Sequence, residues 1–76
     1  MSKADDLLAG LGGGDNIVEM EACITRLRTQ VRDPGLVDET KLKAAGAMGV
    51  VKQGTTVQVV VGPQADTIAE DIQDLM

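Results

Sequence analysis

Between Asn16 and Arg32, polar and apolar side chains alternate with a period of two, which confines that stretch to β-strands with one buried and one wet face. In the first segment Val18, Met20, Ala22 and Ile24 alternate with Glu19, Glu21 and Cys23; in the second, Leu27, Thr29 and Val31 alternate with Arg26, Arg28, Gln30 and Arg32. Two strands joined as a hairpin follow. A tip at Cys23-Ile24 sets Met20 opposite Leu27 on the core face, with Glu21 facing Arg26 and Glu19 facing Arg28 on the wet face. Ile17 falls on the wrong face of this scheme, and Cys-Ile lacks the Asn-Gly or Gly signal of a tight hairpin, so a longer or bulged turn is predicted.

The flanking segments supply helices and a second hairpin. Ser2 can cap a helix, Asp5 sits three residues on, and Leu7, Leu8 and Leu11 recur at helical spacing until Gly12-Gly13-Gly14 ends the run. That glycine triplet follows a helix instead of joining a strand to one, so it reads as a cap and linker, not as a phosphate loop. Asp33-Pro34-Gly35 is a turn, and Asp38 caps a second helix over Glu39 to Ala45, with Leu42 and Ala45 inward and Lys41 and Lys43 outward. Met48 to Gln53 and Thr56 to Val61 are β-rich segments around a Gly54-Thr55 turn. Pro63 opens a last helix, where Ile68, Ile72 and Leu75 form the apolar stripe while Asp66, Glu70, Asp71 and Asp74 are solvated.

The order α-β-β-α-β-β-α predicts an α+β fold: a four-stranded, mainly antiparallel sheet with three helices on one face and water on the other. With 76 residues there is room for one domain, residues 1–76, read as an N-terminal helix and Gly-rich linker (1–14) and a core (15–76). No Phe, Tyr or Trp is present, so the core is aliphatic and no stacking platform for bases exists. A net charge of −5 argues against nucleic acid or an anionic membrane surface as the main partner. The longest apolar run, Val57 to Val61, is broken by Gln58 and is far short of the ~20 residues that span a bilayer, so direct membrane insertion is not expected. The chain reads as a cytoplasmic monomer. One cysteine excludes an internal disulfide, and the absence of histidine excludes the usual zinc and haem ligand sets and every Cys–His mechanism; neither metal nor cofactor is expected.

Chemistry concentrates in Ala22-Cys23-Ile24-Thr25-Arg26-Leu27-Arg28. Cys23 has the polar parity of its strand, and Arg26, Arg28 and Arg32, all the arginines of the chain, lie within ten residues of it. Guanidinium charges and turn N–H groups favour thiolate, which is the nucleophilic form of cysteine. Arginine forks also match phosphate oxygens two at a time. Together they suggest a phosphoryl group passing through sulfur, with the turn N–H groups of Ile24, Thr25 and Arg26 as an anion nest. Glu19 and Glu21 are expected to hold Arg26 and Arg28 in the free protein. Two other readings stand beside this one: a redox-sensing or regulatory single-thiol protein, weakened by the lack of a resolving cysteine, and a small-ligand module in which Cys23 is structural.

Asp15-Asn16-Ile17, the heptad Ala22 to Arg28, Gly49-Val50-Val51 and Val57-Gln58 resemble the enzyme IIB domain of the glucose group of the bacterial phosphoenolpyruvate-dependent sugar phosphotransferase system, over most of the chain from Asp15 onward. The resemblance implies a split α/β sandwich, in agreement with the element order. It implies that Cys23 becomes phosphocysteine, taking phosphate from a phosphohistidine of the IIA protein and passing it to a sugar, N-acetylglucosamine or glucose, held by the membrane permease IIC. It further implies that Arg26 and Arg28 serve delivery to the sugar more than loading from IIA. The domain would then be peripheral to the inner membrane through IIC, as a stand-alone subunit or an excised domain.

Overall fold

The computed structural model describes residues 3–76, so the Ser2 cap expected for the first helix lies outside the described residues. Helix α1 spans Lys3–Gly10. It closes with Gly13 N donating to Leu8 O at 2.9 Å and Gly12 N to Ala9 O at 3.1 Å, while Gly12 takes φ +100°. No other residue fits at that position, since a Cβ on Gly12 would stand 2.7 Å from Asn16 Nδ2. Leu7 and Leu11 from this segment are fully buried and belong to the same core as the sheet.

A 3-10 turn over Gly14–Asn16 leads into β1, Ile17–Cys23, which turns back as β2, Arg26–Val31. After a second 3-10 turn at Pro34–Leu36, α2 covers Glu39–Ala44, with the Asp38 carboxylate accepting from Lys41 N at 3.1 Å as its cap. Strands β3, Gly49–Gln53, and β4, Thr56–Val60, form the second hairpin, and α3, Ala65–Asp74, ends the fold. The strands lie in the order β1-β2-β4-β3, each antiparallel to its neighbours. Helix α3 packs on β1 and β2, α2 touches β3, and α1 lies against both other helices, so the helices cover one face as the sequence predicts.

The alternation holds with one displacement. Cys23 pairs with Arg26, Ala22 with Leu27, Glu21 with Arg28 and Met20 with Thr29, so the tip is Ile24-Thr25 rather than Cys23-Ile24. The expected pairs Met20–Leu27, Glu21–Arg26 and Glu19–Arg28 are each shifted by two residues, and a shift of two leaves every side chain on its predicted face. The observed tip is held from the other side of β2: Thr25 O accepts from Val61 N at 2.9 Å and from Gly62 N at 3.0 Å.

Three residues assigned to the apolar faces, Val18, Ile24 and Leu75, lie outside the core. A bulge between Ile17 and Glu19 returns Ile17 to the core and turns Val18 outward, 58% exposed. Ile24, now in the turn, is 85% exposed. In α3 the stripe is Ala65, Ile68, Ala69 and Ile72, whereas Leu75 lies beyond the last helical residue and is exposed.

Leu7, Leu11, Leu27, Leu42 and Ile72 are among the largest fully buried side chains, each worth about 1.5–3 kcal/mol relative to exposure. Asn16 ties the elements together at the end of the sheet away from the tip. Its Nδ2 donates to Leu11 O at 2.8 Å and Asp33 O at 3.1 Å, and its Oδ1 accepts from Asp33 N at 2.9 Å. Thr29 is the opposite case. Its side chain faces the core, is fully buried, and its hydroxyl has no hydrogen-bond partner among the described residues.

Candidate active site

Because β1 ends where its polar parity reaches Cys23, the thiol is delivered to the tip of the sheet on the face that carries no helix. Cys23 is a free, exposed cysteine. Arg26 is its direct cross-strand partner, in the geometry that sets Cβ atoms about 4.5–5.5 Å apart. The outer face then reads in rows across the strands: Cys23, Arg26, Val60 and Gly49 in the first, and Glu21, Arg28, Gln58 and Val51 in the second. Arg26 and Arg28 are both exposed there.

The arginines are not held by glutamates, contrary to expectation. Among the described residues no carboxylate lies within ion-pair distance of Arg26 or Arg28, and the ion pair between Lys52 and Glu39, at 3.8 Å, joins β3 to α2 instead. Arg26 Nη1 donates to Gln58 Oε1 at 3.0 Å, a bond that crosses from the first row to the second. The observed register explains the difference, since it sets Arg26 beside Cys23 instead of beside Glu21. Arg28 faces Glu21 across the strands and lines a shallow pocket with Glu19, Glu21 and Gln30.

Arg32, expected on the same face as the other arginines, is not part of this cluster. β2 ends at Val31, and Arg32 Nε donates to Asp15 O at 2.9 Å, at the opposite end of the hairpin from the thiol. Of the three turn N–H groups expected to form a nest, those of Ile24 and Thr25 donate no turn bond among the described residues, while Arg26 already belongs to the ladder. Gln58 is the neighbour that residue-type reasoning passed over as a site residue. Its signal was the alternation of Thr56-Val57-Gln58-Val59, which puts the amide on the same face as the arginines.

One backbone feature marks the turn. Ile24 sits at φ +57°, the one non-glycine residue with positive φ among the described residues. A β-branched side chain in that region is strained by about 1–3 kcal/mol.

The arrangement is thus an exposed thiol at a strained tip, an arginine directly beside it, a second arginine one row away, and free turn amides. It suits a dianionic group bonded to sulfur. A sequence model of the family described as "phosphotransferase system, EIIB" matches residues 5–38. The N-acetylglucosamine-specific EIIB component of the phosphotransferase system of Streptomyces coelicolor is 65% identical over 75 residues, covering 99% of this chain and 97% of that protein. This chain belongs to the EIIB family of the phosphotransferase system.

Other EIIB relatives are parts of longer chains. The N-acetylglucosamine-specific EIICB component of Bacillus subtilis is 50% identical over 88% of this chain, which spans 15% of that protein. The glucoside-specific EIICBA component of Staphylococcus carnosus is 49% identical over 93% of this chain, which spans 10% of it. Among solved structures, one domain of the phosphotransferase IIabc component from Clostridium difficile superposes with a TM-score of 0.80 at 25% identity, covering 97% of this chain and 78% of that one. The EIIB fold predicted from the sequence is therefore the fold observed. Among the described residues no helix is long and apolar enough to cross a membrane.

Proposed function

We propose that this EIIB domain carries a phosphoryl group on Cys23 from a phosphohistidine of IIA to a sugar bound by the permease IIC. The observation that carries this reading is the placement of an exposed thiol at the sheet tip directly opposite Arg26, on the face no helix covers. Two proteins have to reach the same sulfur in turn, and only an uncovered tip allows both.

In the loading step the Cys23 thiolate attacks phosphorus, the S–P bond forms as the P–N bond breaks, and the electron pair returns to the imidazole nitrogen. In the delivery step a sugar hydroxyl oxygen attacks the same phosphorus, the S–P bond breaks, thiolate leaves, and the hydroxyl proton is lost to a base or to water. Such transfers depend on positioning and charge compensation more than on covalent chemistry by the protein. Arg26 and Arg28 supply two positive charges beside the phosphocysteine, and the N–H groups of Ile24 and Thr25 supply neutral donors. The arginines act mainly in delivery, where the leaving thiolate and the transferred phosphoryl group both need compensating charge.

The sugar is N-acetylglucosamine, with glucose second, a choice supported by the specificity in the name of the S. coelicolor relative that matches this chain over nearly its whole length. Partnership with IIC is supported by relatives whose names join the B and C parts in one component. The test is a chase: phosphorylated domain mixed with IIC membranes should lose its phosphate to N-acetylglucosamine, and retention of phosphate with every sugar offered would contradict the assignment.

A further inference from the structure

Behind the row of Glu21, Arg28, Gln58 and Val51 on the outer face runs a third row, Glu19, Gln30, Thr56 and Gln53. Between the two lies the hollow lined by Glu19, Glu21, Arg28 and Gln30, with a volume of about 230 Å³. Its polar groups are unengaged. Glu21 and Arg28 are direct cross-strand partners, an arrangement in which opposite charges attract, yet no ion pair closes between them. Among the described residues Glu19, Glu21 and Arg28 make no side-chain hydrogen bond. Gln30 is held in place. Its Oε1 accepts from Thr55 Oγ1 at 3.2 Å and from Thr56 Oγ1 at 3.1 Å, which fixes the amide and leaves the two N–H donors of Nε2 to the hollow it lines. Two carboxylates, a guanidinium fork and an oriented amide donor thus surround one small space, and no described residue uses their hydrogen-bonding capacity.

We infer that this hollow grips the ring of the acceptor sugar during delivery, completing from the domain's side the site that IIC offers; this rests on the phosphocarrier reading above. Glu21 stands two residues from Cys23 along β1, about 7 Å at the usual rise of a strand. A pyranose with one hydroxyl at the phosphocysteine phosphorus therefore lies over Glu21 and Arg28, and its far substituents reach Glu19 and Gln30. Size and charge select the same class of ligand. The volume falls below the about 300–1,000 Å³ of sites for drug-sized molecules, which suits one sugar ring and not a nucleotide or a peptide. Two carboxylates against one guanidinium leave a net negative charge, which disfavours an anion. A neutral polyol fits, its hydroxyls donating to Glu19 and Glu21 and accepting from Arg28 and Gln30. The same charge repels the phosphorylated product and so favours its release. Phosphate sits at the Cys23-Arg26 row and hydroxyls sit behind it. Arg28 borders both, which gives a physical reason for its part in delivery.

The experiment compares wild type with Glu19→Gln and Gln30→Glu. The second substitution keeps an oxygen for both threonine hydroxyls and replaces the amide donor with an acceptor. Each protein is loaded with phosphate to completion, and single-turnover delivery to N-acetylglucosamine is followed while the sugar and the IIC membranes are varied in turn. Half-saturation by sugar should rise about tenfold in both variants, the effect of losing one hydrogen bond to a charged or oriented group. Half-saturation by IIC membranes should stay within about twofold of wild type. An unchanged half-saturation by sugar in either variant would overturn the inference. So would a greater requirement for membranes with the sugar dependence unmoved, which would make this face a contact for the permease protein. Wild type that keeps its phosphate with every sugar offered would instead overturn the phosphocarrier reading itself, so the two failures are distinguishable.

Discussion

Arg26 Nη1 donates to Gln58 Oε1 at 3.0 Å, so the cation paired with Cys23 across the hairpin is oriented by a neutral amide and not by a carboxylate. An amide oxygen fixes the guanidinium plane while leaving its full charge and its remaining N–H donors for an incoming phosphate. Gln58→Leu should therefore slow phosphate delivery to sugar about tenfold by freeing Arg26. Gln58→Glu should slow it further, because a carboxylate there would neutralise the cation. Single-turnover chase rates, with circular dichroism as a check on folding, test the order Gln, Leu, Glu.

Arg28 is exposed and, among the described residues, pairs with no carboxylate, one row from the thiol. Replacing it by lysine keeps the charge and removes the fork. Arg28→Lys is expected to form phosphocysteine at nearly the wild-type rate while losing about tenfold or more in sugar phosphorylation. Parallel loss of both steps would contradict the division of labour between loading and delivery.

The buried, unpartnered hydroxyl of Thr29 makes β2 weaker than it needs to be. Thr29→Val removes the orphaned group with little change of shape and should stabilise the domain by about 1 kcal/mol. The readout is a higher urea midpoint at constant slope; a lower midpoint would mean that the hydroxyl is satisfied in solution.

Asn16 is the counterpart at the far end of the sheet. Asn16→Ala removes three hydrogen bonds and orphans Leu11 O and Asp33 N, while Asp33 O keeps its bond from Leu36 N, at a cost of about 3 kcal/mol. In a domain of this size, whose whole margin is of order 4–11 kcal/mol, that should be visible as a melting temperature lower by roughly 10–20 °C.

Most of the fold was legible because period-two and period-3.6 patterns meet at identifiable breaks such as Gly12, Pro34 and Gly54. The outer face was legible for the same reason: parity alone put Cys23, Arg26 and Arg28 together. Register was not, because a two-residue slip preserves parity and so leaves no mark in the alternation; what fixes it is the Thr25 carbonyl, bonded to Val61 and Gly62 just past the end of β4, thirty-odd residues away. The same limit hid the Arg26–Gln58 bond, which depends on the neighbour order β2-β4. Ile17 and Val18 were misplaced because a bulge inserts one residue without changing composition. The longer or bulged turn expected from the missing hairpin signal at Cys23-Ile24 is not found: the loop is the tight two-residue turn Ile24-Thr25, made with isoleucine at φ +57°, a residue that carries no turn signal.

The central claim is that Cys23 is a temporary phosphate carrier, and mass spectrometry after incubation with phosphorylated IIA tests it most directly. The expected spectrum shows one added phosphate on the Cys23 peptide, absent in Cys23→Ser and discharged when IIC membranes and N-acetylglucosamine are added. Phosphate appearing on another residue, or no phosphate on a folded wild-type domain with active donor, would contradict it.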